Sequence, residues 1–324
     1  MVYDRMDDRP AFTGIPTFVR VPQIEDSAGL TRERPDVVIV GAPTDTATTH
    51  RPGARFGPRA IRQASNIRRA AHHLGLGVEP FKLLRVFDYG DAEVVPGDIE
   101  RTNAGIYAKV AEVARAGAIP AVLGGDHSIT FPAASAVADA AGHGRVGIVH
   151  FDAHADTADD SWGVLLSHGT PMRRLIESGA VPGNAFVQVG LRGYWPPPAV
   201  FEWMRQQGMR WHTMHDIQRR GFQTVLTEAI EQALDGPELL YLSIDIDVLD
   251  PAFAPGTGTP EPGGLTAVEL LHAVRQVTLS ANLAAFDVVE VSPPYDGPGA
   301  ITAEVAHRCV LEVLSALASK RCPK

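Results

Sequence analysis

Seven short runs rich in Val, Ile and Leu restrict what this chain can become. They are VVIVG (37–41), LLRVFDYG (83–90), IPAVLGG (119–125), VGIVHFD (146–152), AFVQVG (185–190), LLYLSIDID (239–247) and AAFDVVEVS (284–292). Several are apolar at nearly every position rather than at every second one. A strand of that kind needs cover on both faces, which points to a mostly parallel sheet with helices on either side. Stretches with helical spacing lie between the runs, at 57–74, 102–117, 131–142, 223–236, 266–278 and 301–319. Several close near Gly, as helix C-termini do. The alternation predicts βαβ units and a three-layer α/β/α fold. No repeat and no linker divides the chain, so one domain is expected over 36–324. Residues 1–35, rich in Pro and charge, read as an arm packed on that domain or on a neighbouring subunit.

In such a sheet, functional residues gather at the carboxyl ends of strands. Three runs end in metal-type residues: His127 in GGDHS, the Asp152/His154/Asp156 group in FDAHAD, and the Asp245/Asp247 pair in SIDID. The spacing of two places Asp245 and Asp247 on one strand face. Six such groups ending buried strands are costly unless cations sit among them. Two divalent ions are the simplest solution, and a two-metal centre suits hydrolysis. Four carboxylates with two imidazoles favour manganese, with nickel, cobalt or iron as alternatives, over a thiolate zinc centre.

Composition narrows the classes. The net charge is −9, which speaks against a general nucleic-acid or anionic-membrane surface. No run of about 18 apolar residues predicts a membrane span. The N-terminal MVYDRMDDRP lacks the apolar segment of a signal peptide. Cys309 falls in a helical pattern as a core thiol and Cys322 on the tail. Neither suggests a disulfide framework, so a cytoplasmic protein is expected.

The motifs GGDHS (124–128), FDAHAD (151–156), HGTP (168–171), SIDIDVLDPAFAPGTGTPEPGG (243–264) and FDVVEVSPPYD (286–296) resemble those of the ureohydrolase family, the arginases and agmatinases. HRPGARFGPRAIR (50–62) and IPTFVRVP (15–22) extend the likeness over nearly the whole chain, the latter toward the agmatinase, guanidinobutyrase and proclavaminate amidinohydrolase branch. The resemblance implies two Mn2+ per subunit, with Ni2+ or Co2+ as alternatives. Asp152 and Asp245 would bridge them; His127 and Asp156 would complete one ion, His154 and Asp247 the other. His168 would relay protons with an ordinary pKa near 6.5, and Glu290 would receive the guanidinium. Asp156 would also carry the proton from water to the leaving nitrogen. A homotrimer or homohexamer is implied as well.

The implied reaction is hydrolysis of a small guanidino compound to urea and an amine. Agmatine-like substrates rank first, then guanidino acids such as guanidinobutyrate, then short or N-alkylated guanidines. A metal-dependent deacetylase and a non-catalytic subunit are the competing classes. In the segment 158–172, Trp162, Val164, Leu165 and Leu166 would form an apolar wall for the substrate tail. Asp159 or Asp160 could meet a distal amine. Arg55 is expected to brace its loop.

Overall fold

The computed structural model describes residues 13–66 and 72–322. Their centre is one sheet of eight parallel strands: β1 Val37–Ala42, β2 Val86–Asp91, β3 Ile119–Gly124, β4 Val146–Phe151, β5 Phe186–Leu191, β6 Arg210–Thr213, β7 Leu239–Asp245 and β8 Leu283–Val289. They lie in the order β2-β1-β3-β8-β7-β4-β5-β6. β1, β4 and β5 are buried at every position, as expected of strands with helices on both faces. One core packs Ile39, Leu123, Phe151, Leu242 and Phe286 against the helix Ile301–Ser319, which carries the buried Cys309. The opposite core packs Val122, Ile148, Tyr241 and Ala285 against Ile99–Arg115 and Thr130–Ala141.

The strand order brings β3, β8, β7 and β4 side by side, and these four carry the motifs. The register adds a polar row beneath their carboxyl ends: Asp287 lies beside Ser243, Ser243 beside His150, and His150 beside Gln188. All four are fully buried. The arm touches this same chain. Phe18 is buried, its N–H donates to Asp88 Oδ2 at 3.0 Å, and Gln23 bridges to Asp88.

Several expectations need correction. β6 was not anticipated, because RWHT is too short and polar to stand out. Its edge position allows that composition, with only His212 buried. The run 83–90 becomes a strand only from Val86, since Pro80–Leu83 form a helical turn begun by proline. The helix expected over 57–74 runs from Gly57 to Ser65. Asn66 then bonds back to Arg62 O at 2.9 Å, and residues 72–74 are not helical; residues 67–71 lie outside the described part. The helices Ser27–Glu33, Pro171–Glu177, Pro198–Gln206 and Met214–Arg220 were also not anticipated. Each spans nine residues or fewer, too few for a clear apolar period.

Candidate active site

β7 ends at Asp245, and Asp247 sits in the 3-10 turn Ile246–Val248. The two carboxylates therefore converge through a change of backbone direction, not through strand alternation. Asp247 N–H donates to Asp245 Oδ1 at 2.9 Å, which ties the turn to the strand end. His127 opens the 3-10 turn after β3, which Asp126 caps by accepting from Ser128 N–H at 3.0 Å. FDAHAD leaves β4 and folds back so that His154 N–H donates to Asp152 Oδ1 at 2.6 Å.

These segments bring the six residues together in two groups. His127 Nδ1 lies 3.1 Å from Asp152 Oδ2, 3.1 Å from Asp156 Oδ2 and 2.9 Å from Asp245 Oδ2. His154 Nδ1 lies 3.1 Å from Asp247 Oδ2 and 3.5 Å from Asp152 Oδ1. Asp152 belongs to both groups.

The polar row decides which nitrogen of His127 faces this cluster. Ser243 Oγ gives its only proton to Asp287 Oδ1 at 2.8 Å, so it accepts from His127 Nε2–H at 3.0 Å. Asp287 is held in turn by the hydroxyls of Tyr241 and Thr130, each at 2.7 Å. That leaves Nδ1 as the inward atom, and it makes no hydrogen bond although three carboxylate oxygens surround it. A proton there could serve one oxygen at most, whereas a divalent cation satisfies all three. The residues therefore fit metal ions.

The electrostatics agree. Burial first, then repulsion from Asp247 and Asp152, holds the Asp245 carboxyl well above its usual range. Asp247 is also raised, by burial and then by Asp152 against the pull of His154. Burial alone would depress His127, yet Asp152, Asp156 and Asp245 carry it well above an ordinary imidazole. A buried excess of negative charge is what cations would relieve.

Above this floor stands Glu290, one residue past β8. Its backbone has φ +61°, and Asp156 has φ +52°. Such left-handed backbone in a non-glycine residue costs about 1–3 kcal/mol, a cost that clusters at functional sites. Glu290 N–H donates to Gly125 O at 2.9 Å and Met172 N–H to Asp156 O at 3.1 Å, which hold both conformations. Glu290 Oε1 accepts from His127 N–H and pairs with His168 Nδ1, both at 2.9 Å. Its Oε2 is buried with no partner. A Cβ at Gly258 would stand 3.1 Å from Oε2, so glycine keeps that oxygen clear.

His168 was expected to have an ordinary pKa. Burial pulls it down, but Glu290, Asp126 and Asp156 prevail and carry it up to about 9. Thr49 N–H, which can only donate, lies 3.1 Å from Nε2 and resists protonation there. When the ring is neutral, it presents Nδ1–H to Glu290.

Glu290, His168, His154, Asp156 and Asp245 line a cavity of about 540 Å³, whose rim includes Trp162 and Trp195. Leu166 does not line it; it is half-buried, and Val164 and Leu165 are exposed away from it. Arg55 pairs with Asp45, which also accepts from Gly53 N–H at 2.7 Å, so it braces the loop carrying Thr49. Sequence reasoning missed Thr49, His150, Gln188, Ser243 and Asp287. A signal existed for two of them: His150 and Ser243 each stand two residues before a strand-end aspartate.

The sequence model of the arginase family matches residues 35–315, and the chain belongs to that family. It is 43% identical to guanidinopropionase of Pseudomonas aeruginosa, over 95% of this chain and 93% of that protein. It is 39% identical to the mitochondrial agmatinase of Gallus gallus, over 94% and 86%. The structure superposes on proclavaminate amidinohydrolase from Streptomyces clavuligerus with a TM-score of 0.87 and 38% identity, covering 96% of this chain and 99% of that one. Among the described residues, no helix is long and apolar enough to cross a membrane.

Proposed function

We propose that this arginase-family hydrolase splits a small guanidino compound into urea and an amine at a centre of two Mn2+. His127, Asp152, Asp156 and Asp245 would hold one ion, and His154, Asp152, Asp245 and Asp247 the other. The observation that carries the reading is Glu290: a buried carboxylate with one oxygen anchored and the other unpaired, at a cavity beside the two His/Asp groups. A planar cation suits that unpaired oxygen.

A guanidinium carbon is a poor electrophile, and two divalent ions held by these residues would supply the strong nucleophile it needs by acidifying water at neutral pH. Glu290 binds the cation and fixes the plane of its carbon. Asp156, at the junction of cavity and metal group, accepts the proton of water and returns it to the departing nitrogen. His168, beside Thr49 in the cavity lining, would exchange a proton between the site and solvent through Nε2. Water adds across one C–N bond, so RNH–C(NH2)2+ and H2O give RNH3+ and urea.

Agmatine-like substrates are the first reading. Guanidino acids are the second, favoured by the 43% identity to a guanidinopropionase. The test is urea release from a panel of guanidino compounds after loading with manganese and, separately, nickel. No urea from any of them with two metal equivalents bound refutes the proposal. A homotrimer or homohexamer is proposed from the family likeness; a monomer in sedimentation at micromolar concentration refutes it.

A further inference from the structure

We infer that Asp160 selects the substrate tail by charge, so that the cavity takes a guanidinium compound bearing a second cation in preference to one bearing a carboxylate. This inference rests on the amidinohydrolase reading above and names its substrate class.

Thirteen described residues line the cavity. Four are carboxylates, Asp156, Asp160, Asp245 and Glu290, and none is Lys or Arg. Asp156 and Asp245 face His127 in the metal group, and Glu290 is reserved for the guanidinium. Asp160 is the acid left over, and it belongs to the rim loop with Ser161 and Trp162.

The structure separates it from its neighbour. Asp159 Oδ1 meets both Arg173 and Arg174 at 3.3 Å, so its charge is answered outside the cavity. Asp160 forms no ion pair among the described residues. Its Oδ1 accepts only from Gly163 N–H at 2.7 Å, which fixes the carboxylate at the rim and leaves Oδ2 for a ligand. The loop under it is braced. Ser161 and Val164 exchange backbone hydrogen bonds at 2.9 and 3.0 Å, and Ser161 Oγ donates to Ser167 Oγ at 2.8 Å.

Trp162 and Trp195 complete the rim, with 87% and 58% of their surfaces exposed. Indole faces attract a cation and cover methylenes. Those faces offer nothing to a carboxylate, which would also meet Asp160 with no Lys or Arg in the cavity lining to offset it. Ala158, small and buried beneath the loop, leaves the space between floor and rim open.

The test uses the manganese-loaded full-length protein and three guanidines of one chain length, with an amine, a methyl or a carboxylate at the far end. The wild type should turn over the amine at least about fivefold better than the acid, by kcat/KM, on the scale of a partly exposed charge contact. Asp160→Asn should erase most of that ratio while changing the methyl compound less than about twofold, and Asp160→Lys should reverse it. Asp159→Asn should leave the ratio within about twofold of wild type. A wild type that prefers the acid, or an Asp160→Asn that slows all three equally, overturns the inference. Should no guanidine be hydrolysed, the amidinohydrolase reading fails by itself. Calorimetric binding of the three compounds then decides the tail: equal affinity for amine and acid overturns it, and loss of the difference in Asp160→Asn supports it.

Discussion

The floor and the rim of the cavity are built on opposite principles. On the floor, the six metal-type residues project from the ends of β3, β4 and β7, and His127 and Asp152 are pinned from below or behind. His127 rests on Ser243 and Asp287; Asp152 is gripped by His154 N–H and stands 2.8 Å from His150 Nε2. His150 is itself set by Gln188, whose Nε2 donates to His150 Nδ1 at 3.0 Å and to Ala155 O at 2.6 Å. At the rim, Trp162 and Trp195 are exposed and hang on short loops. A buried polar group must be fully partnered or it costs stability, so the floor admits few substitutions. An exposed side chain carries no such penalty. On the proposed reading, the chemistry belongs to the floor and the choice of substrate to the rim.

The largest effect that would break this contrast concerns the shared ligands. Asp245→Ala should lose both metal equivalents and nearly all urea release, whereas Asp247→Ala should keep close to one equivalent. Elemental analysis after manganese loading makes the comparison, and equal losses in the two variants would dissolve the bridging assignment. Next comes Glu290→Gln, which keeps shape and removes charge. It should retain both ions yet lose kcat/KM by a factor of about 100 or more, as a desolvated charge contact worth several kcal/mol requires. Near-normal turnover would remove Glu290 from the floor's chemistry.

His168 joins the two regions, and its effect is intermediate. Its folded value of about 9 exceeds the ordinary unfolded value of about 6.5. A raised histidine contributes stability below pH 6.5 and loses it as pH rises through about 9. The melting-temperature gap between wild type and His168→Gln should be wide at pH 6 and nearly closed at pH 9.5. Binding of divalent cations adds positive charge nearby, so metal loading should move the imidazole titration downward in NMR; an upward move contradicts the assignment. The smallest effect belongs to the rim. Trp162→Ala should alter KM by less than about tenfold and leave the melting temperature within a degree or two, because an exposed side chain holds nothing together. A large loss of stability there would show that the rim is structural.

Much of this was legible in the chain itself, and the reasons are local. Near-continuous Val and Ile runs admit only strands covered on both faces, and the helices between them follow from their period. A lone His or Asp ending such a run usually serves as a turn or cap residue, but six of them on three runs do not, so His127, Asp152, His154, Asp156, Asp245 and Asp247 announced a metal-type cluster together. Short elements escaped. RWHT and the helix opened by Pro171 are too brief for periodicity to rise above chance.

What only tertiary structure decided is adjacency. Strands β3, β8, β7 and β4 are scattered along the chain, and nothing local states that they lie side by side. That order sets Asp287 beneath Ser243, leaves His127 Nδ1 facing inward without a hydrogen bond, and frees one oxygen of Glu290. It also sends Asp159 to Arg173 and Arg174 while leaving Asp160 at the cavity, a distinction between two neighbouring identical residues. Residue type and spacing carry chemistry because side-chain donors and backbone periods are local properties. Partnership is settled by packing between distant segments, and it determines which of the available groups are occupied and which remain free to act.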